Sequence, residues 1–169
     1  TNNCGQPESV SFGVNVPVLS VPVLQSNENA CAGSDAIFTI TSQPGNHIRY
    51  QLNGGPVQEL IIGSTGVATL TVPSITADQT LHLTLVSDGT CIRVIDLNNT
   101  VSVRAVPVVS ASGGAVCAEA VLQLTGNPAG GTWTGTYISS SGLFNAGAVA
   151  PGLYTVAYQY NDQWGCGNM

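Results

Sequence analysis

Hydrophobic and polar residues alternate along most of this chain. Apolar residues recur at every second position in segment after segment, whereas the i, i+3, i+4 spacing of an amphipathic helix is sustained nowhere. Because successive side chains of a strand point to opposite faces, this pattern predicts an all-β protein. The clearest predicted strands are 36–41, 48–52, 67–72, 81–86, 92–103, 121–124 and 153–160.

Turn-forming residues separate the predicted strands. Asn53-Gly54-Gly55 supplies residues that tolerate a positive φ and predicts a hairpin after the strand that ends at residue 52. The segment 63–66 and the pair Asp88-Gly89 predict two more turns. Short strands at regular spacing with such turns are typical of β-sandwiches.

The cysteines reveal an internal repeat. They stand at positions 4, 31, 91, 117 and 166. Cys91 lies 87 positions after Cys4, and Cys117 lies 86 positions after Cys31. The pair Cys4 and Cys31 therefore recurs as Cys91 and Cys117, and each first member is followed by a strand-like stretch that leads into a Val-Pro segment.

This repeat predicts the domain organisation. Residues 1–24 are interpreted as the last strand of an upstream repeat plus a linker, with the strand itself at 5–16. Residues 25–106 form one complete sandwich, and residues 107–169 form a second that lacks its closing strand. Three readings fit: a window of a longer tandem chain, a subunit that lends its first strand to a neighbour, or an odd domain with a free Cys4. We expect the first.

Each domain opens at one cysteine and closes at another, so the frame predicts the disulfides Cys31–Cys91 and Cys117–Cys166. Loops of about 60 and 50 residues would each contribute about 4 kcal/mol on the loop-entropy model. Cys4 would be unpaired or would have its partner outside the segment. A zinc site is the alternative, but the wide spacing has no C-x-x-C knuckle. Disulfides imply an oxidising compartment, so we expect an extracellular protein at the cell surface.

The charged-residue content limits the classes of partner that this chain is expected to bind. Charged residues are 7% of the chain, lysine is missing, and the formal net charge is −6. An acidic chain with only three arginines has little from which to build a phosphate-binding surface, so nucleic acid and anionic membrane surfaces are not expected as partners. No apolar run approaches the length of a membrane-spanning helix. Without lysine, isopeptide cross-links between Lys and Asn cannot form.

No catalytic or metal-binding constellation stands out. The two histidines, His47 and His82, are expected as exposed strand or loop residues rather than members of a catalytic triad. A glycosidase needs two facing carboxylates, and the spacing of Glu59, Asp78, Glu119 and Asp162 along the chain does not select a pair among them. We therefore expect no enzymatic activity, no cofactor and no metal ion.

Aromatic residues concentrate in the second half of the chain. Trp133 and Trp164 are accompanied there by Tyr137, Tyr154, Tyr158 and Tyr160. Rings on a β-sandwich can stack on sugars, which makes Trp133 and Trp164 candidate ligand-stacking residues. Packing of the same rings in the core is the favoured interpretation.

Several stretches resemble a known class of repeats. The segments 31–40 (CAGSDAIFTI), 50–55 (YQLNGG) and 80–91 (TLHLTLVSDGTC) resemble the Ig-like repeats of very large secreted proteins of Bacteroidota. The segments 130–135 (GGTWTG), 142–145 (GLFN) and 151–158 (PGLYTVAY) resemble a second repeat type found beside the first. Members include gliding-motility adhesins and other cell-surface adhesins exported by the type 9 secretion system.

The resemblance implies tandem Ig-like antiparallel β-sandwiches, each with one disulfide, in a non-catalytic stalk or adhesive array for gliding or attachment. Its partners would be neighbouring repeats of the same chain or other copies, and surface polysaccharide is a further candidate partner. The alternatives are a subunit of an extracellular filament assembled by strand exchange and a carbohydrate-binding module of a secreted enzyme.

Overall fold

The computed structural model describes residues 19–168, which form an all-β structure with several antiparallel sheets. The first eight strands make a two-sheet sandwich, called here the N-terminal sandwich. Its strands are β1 (Val23–Ser26), β2 (Asn29–Cys31), β3 (Ala36–Thr41), β4 (His47–Leu52), β5 (Gln58–Ile61), β6 (Val67–Val72), β7 (Gln79–Ser87) and β8 (Ile92–Arg104).

Strand order in this sandwich brings distant segments together. One sheet has the order β1-β3-β6, and the facing sheet has the order β2-β8-β7-β4-β5. All pairs are antiparallel except β2 with β8, which run parallel. β8 is 13 residues long and spans the length of the sandwich.

The alternating sequence pattern builds the core between the two sheets. In β3 the side chains of Ala36, Phe38 and Ile40 are fully buried, whereas Ile37 between them is 40% exposed. Leu81 and Leu83 of β7 are buried from the other sheet in the same way. Removing these apolar surfaces from water is the main force that joins the two sheets.

A second group of strands follows, called here the C-terminal strand group. Its small core consists of Leu124, Trp133 and Tyr158. The Tyr158 hydroxyl donates to the Pro128 carbonyl and accepts from the Gly131 amide, so this buried phenol has polar partners. The strands are β9 (Ser110–Ser112), β10 (Val121–Gln123), β11 (Thr125–Asn127), β12 (Thr132–Gly135), β13 (Leu143–Asn145), β14 (Val156–Asn161) and β15 (Gly167–Asn168).

The predicted all-β class with antiparallel sheets is confirmed, and the strand bounds agree closely in the N-terminal sandwich. The predicted strands 36–41 and 67–72 match β3 and β6. The predicted turns are also present: Asn53 and Gly54 have φ values of 52° and 68°, and Gly66 and Gly89 have positive φ as well. The last predicted strand began three residues too early, because β14 starts at Val156 and not at residue 153.

Two predicted domain boundaries fall within or beside strands of the structure. β1 begins at Val23 and Leu24 packs against the first core, so the predicted upstream segment 1–24 overlaps the first strand of the sandwich. After Cys166, Gly167 and Asn168 pair with Tyr160 and Asn161 of β14, at the position where the closing strand was predicted to be missing. Cys4 and the predicted upstream strand 5–16 lie outside the described residues. Within 19–168, no helix is long and apolar enough to cross a membrane.

Candidate functional site at the Cys31–Cys166 junction

A disulfide joins the N-terminal sandwich to the C-terminal strand group. Cys31 ends β2, where it lies beside Arg104 at the end of β8. Cys166 follows the turn after β14, and its side chain is 1% exposed. The two residues are bonded with a Cα–Cα distance of 5.5 Å and are 135 positions apart in the chain.

The predicted pairing of Cys31 with Cys91 and of Cys117 with Cys166 is therefore wrong. Cys31 lies beside the last residue of β8, and Cys91 directly precedes its first. A strand of 13 residues separates them by roughly 40 Å, whereas a disulfide requires Cα atoms within about 7 Å. The opening and closing cysteines of the N-terminal sandwich thus lie at its two opposite ends. Cys91 and Cys117 are free, the first half-buried and the second exposed.

Polar and aromatic contacts flank the disulfide. The Arg104 guanidinium donates two hydrogen bonds to Asn29 Oδ1, at 2.9 and 2.7 Å from Nε and Nη2. It also lies 4.2 Å from the ring centroid of Trp164, two residues before Cys166. Such a cation–π contact contributes on the order of 0.5–1 kcal/mol at an exposed position. Asn168 Nδ2 donates to the carbonyl of Pro107, in the segment that joins the two strand groups.

The two tryptophans have different environments. Trp133 is 5% exposed and packs against Tyr158 with ring centroids 5.0 Å apart, so it packs in the core, which was the favoured interpretation, and is not a ligand-stacking residue. Trp164 is 49% exposed, and Arg104 lies over its ring. The structure therefore does not bring the two rings together as a platform for a sugar.

The histidines and carboxylates form scattered surface pairs. His47 Nδ1 lies 2.8 Å from Glu59 Oε1, and Arg49 Nε donates to Glu59 Oε2 at 3.2 Å. These bonds, chiefly the one with His47, lower the pKa of Glu59. His82 Nε2 lies 2.8 Å from Asp96 on a neighbouring strand. In the described part of the chain, no three His, Cys, Asp or Glu residues cluster as a metal would require.

The other three candidate carboxylates lie in turns or bond to backbone amides. Asp78 accepts from the Val103 amide at 2.7 Å, and Asp162 accepts from the amides of Trp164 and Cys166 at 2.8 and 2.9 Å. Glu119 has a φ of 65° in the turn after Cys117. These three residues and Glu59 sit on different elements and do not form the facing pair that a glycosidase needs.

The sequence predicted a turn at Asp88-Gly89, but not that Asp88 and Asp162 each accept a hydrogen bond from the amide of the cysteine that follows. Asp88 accepts from the amides of Cys91 and Thr90 at 2.7 and 2.9 Å, as Asp162 does in the turn before Cys166. The amide of Cys91 is the larger cause, and together these donors lower the pKa of Asp88. An aspartate three or four residues before a cysteine was the signal that could have identified these hydrogen bonds.

We expect the turn at Asp88 to weaken only in strong acid. Because the folded state lowers the pKa of this carboxyl, its contribution to stability is complete above the ordinary value of 3.8 and is lost as the pH falls through the lowered one. The amide chemical shifts of Thr90 and Cys91 should titrate with a midpoint below 3.8. Asp88→Ala should abolish this titration, while Asp96→Asn, on a side chain that contacts His82, should leave it unchanged. A midpoint at or above the ordinary value would contradict the assignment.

Two adjoining grooves in the C-terminal strand group are lined mainly by apolar residues. They share Val116, Phe144 and Tyr154, and the larger also has Leu122 and Val156 on its wall. No carboxylate, histidine or cysteine lines either groove.

Comparison with known proteins leaves the junction as the main guide to function. No protein-family model and no curated protein sequence matches this chain.

Proposed function

We propose that this chain is a non-catalytic stalk segment of an extracellular cell-surface adhesin, in which the disulfide Cys31–Cys166 limits extension under load. The observation that carries the proposal is the position of this bond. It joins the opening cysteine of the N-terminal sandwich to the closing cysteine of the C-terminal strand group, 135 positions later.

Tension applied to the two ends of the described chain would follow a short covalent path. From Leu19 it would pass through β1 and β2 to Cys31, cross the disulfide to Cys166, and leave at Asn168. Residues between the two cysteines lie in a closed loop, so their unfolding cannot lengthen the molecule. At about 3.3–3.6 Å per extended residue, the bond holds back roughly 450 Å of chain.

Single-molecule force spectroscopy on the full chain, held at its two termini, tests this proposal. With the disulfide intact, we expect unfolding to release only the short segments outside the loop. After reduction, the two strand groups should unfold with an added contour length of roughly 450 Å in total. The difference arises because only reduction lets tension extend the residues between Cys31 and Cys166, which include most of both hydrophobic cores.

A cysteine-free junction provides the matched control. The double variant Cys31→Ser, Cys166→Ser should extend without reducing agent as far as the reduced wild-type chain does. Cys117→Ser removes a thiol that has no partner in the structure and should extend like the oxidised wild-type chain. Equal extension of oxidised and reduced wild-type chains would overturn the mechanical role.

Two observations support an extracellular location. A disulfide persists in an oxidising environment, and Cys31–Cys166 is such a bond. The chain lacks lysine and has three arginines, so trypsin-like proteases find few cleavage sites. The roles in attachment and gliding, and export by type 9 secretion, are proposed because the repeats resemble those of Bacteroidota adhesins. The partners would be neighbouring repeats of the same chain or other copies.

A filament built by strand exchange is the second candidate, favoured by an open strand edge. Among the described residues, β14 pairs with β12 through Val156–Gln159, but on its other side β15 reaches only Tyr160 and Asn161. In the N-terminal sandwich, β8 covers the corresponding strand β7 along most of its length. A strand from another copy could pair with the open part of β14, and the segment 5–16 has the alternation to do so.

Oligomeric state under reducing conditions separates this candidate from a simple stalk. Strand exchange predicts non-covalent oligomers of the full chain in light scattering. Val14→Pro should dissociate them, because proline removes an N–H from the donated strand, while Asn2→Pro should not. A monomeric wild-type chain under these conditions would exclude strand exchange and leave the stalk proposal intact.

A further inference from the structure

The turn after Cys117 has the same construction as the turn after the bonded Cys31. In the turn after Cys31, the Ser34 amide donates to the Cys31 carbonyl at 2.9 Å and Gly33 has a φ of 88°. In the turn after Cys117, the Ala120 amide donates to the Cys117 carbonyl at 3.3 Å and Glu119 has a φ of 65°. We call these two the opening turns.

The hydrogen bonds beyond the opening turns also correspond. The Ser34 carbonyl accepts from the amide of Ile75, a buried residue that follows β6. The Ala120 carbonyl accepts from the amide of Ala146, a buried residue that follows β13. In each case, the strand that leads away from the turn pairs antiparallel with the strand that precedes the buried residue.

The turn before Cys91 has the same construction as the turn before the bonded Cys166. In both, an aspartate Oδ1 accepts from the cysteine amide, at 2.7 Å for Asp88 and 2.9 Å for Asp162. In both, the same aspartate donates its amide to the cysteine carbonyl, at 3.3 and 2.9 Å. We call these two the closing turns.

The closing turns also meet the chain in the same way. Two residues after Cys91, Arg93 Nη1 donates to the carbonyl of Leu19, which precedes β1. Two residues after Cys166, Asn168 Nδ2 donates to the carbonyl of Pro107, which precedes β9. Each closing cysteine therefore lies at the end of its strand group where the chain enters.

Exposure distinguishes the bonded cysteines from their free counterparts. Cys166 is buried and Cys91 is half-buried, although their turns correspond. Cys31 is half-buried and Cys117 is exposed. Each bonded cysteine is thus less exposed than its free counterpart, as expected when two turns pack against each other around a disulfide.

We propose that Cys117 and Cys91 are the two halves of a second junction, which forms between this unit and a further copy of it. Cys117 would bond the Cys91 of the next copy, as Cys31 bonds Cys166 within the chain. The reason for this partner is the bond already present: it joins one opening turn to one closing turn, and within residues 19–168 one turn of each type is left over.

The bond-forming step is a thiol–disulfide exchange. The two thiols lose two protons and two electrons as the S–S bond forms, and a low-molecular-weight disulfide such as oxidised glutathione is cleaved to two thiols in return. In a series of such units within one polypeptide, the loops would overlap, because Cys117 lies inside the loop that Cys31 and Cys166 close. Every part of the chain between the outermost bonds would then be enclosed by at least one disulfide.

Mixing two complementary variants of the full chain tests the proposal. Both carry Cys4→Ser. One also carries Cys91→Ser and keeps Cys117, and the other also carries Cys117→Ser and keeps Cys91. With one of them labelled with ¹⁵N and a glutathione redox buffer present, we expect at least tenfold more mixed dimer than either homodimer, measured by intact mass. The Cys4→Ser parent should form a ladder of reducible oligomers with Cys91–Cys117 peptides between copies.

A displaced thiol controls for random oxidation. Ala115→Cys, placed in a chain that lacks Cys4, Cys91 and Cys117, offers an exposed cysteine two residues from the opening turn. It should show no preference for the Cys91 variant. The proposal is overturned if homodimers equal mixed dimers, if Cys91 and Cys117 bond within one chain, or if neither thiol bonds although both react with an alkylating agent.

Discussion

Replacing Cys166 by serine should lower the free energy of unfolding of the oxidised protein by about 5 kcal/mol. The bond to Cys31 spans 135 positions, and on the loop-entropy model so long a loop restricts the unfolded chain strongly. The C-terminal strand group should suffer most, because its cluster of buried core residues is small, with Leu124, Trp133 and Tyr158 at its centre. Urea denaturation, followed by the fluorescence of the buried Trp133, measures the loss.

Two variants check that the loss comes from the bond. Cys31→Ser with Cys166→Ser should cost about as much as Cys166→Ser alone, since both remove the same disulfide. Cys117→Ser should change stability by less than about 0.5 kcal/mol, because this exposed thiol is free in the structure. If the wild-type protein unfolded at the same urea concentration with and without reducing agent, the disulfide would have no part in stability.

Phe38→Ala should destabilise the N-terminal sandwich by about 3–5 kcal/mol. Phe38 is fully buried between the two sheets, so truncation loses apolar burial and leaves a cavity that its neighbours fill only in part. Urea denaturation measures this loss through the far-ultraviolet circular dichroism of the strands.

The adjacent residue supplies the control. Ile37 lies on the same strand, points to the other face and is 40% exposed. Ile37→Ala should cost less than about 1 kcal/mol, because the residue keeps much of its contact with water in the folded state. Equal losses for the two variants would contradict the inward and outward alternation of β3.

Much of the fold could be predicted because strands with one buried face carry a local signal. β3 and β6 match their predicted bounds, and the positive φ values of Asn53 and Gly54 agree with the hairpin predicted there. The pattern arises from the two-residue period of a strand, which is present in the sequence before any tertiary contact forms.

Short strands escaped prediction. β2, β9 and β11 have three residues each, too few for an alternation to be recognised. β5 has mostly exposed side chains, so its position at the edge of the sheet leaves little apolar pattern. Such strands exist because neighbouring strands offer hydrogen-bond partners, and those neighbours are chosen by the tertiary structure.

The sequence by itself determined the all-β class, the strong turns, the acidic and lysine-free composition, and the recurrence of opening and closing cysteines. Only the tertiary structure decided which cysteines bond. Sequence order suggested that each repeat closes on itself, but β8 places Cys31 and Cys91 roughly 40 Å apart, at opposite ends of one sandwich. Pairing depends on which thiols the fold brings within a few ångströms, and that distance depends on strand length and direction rather than on spacing along the chain.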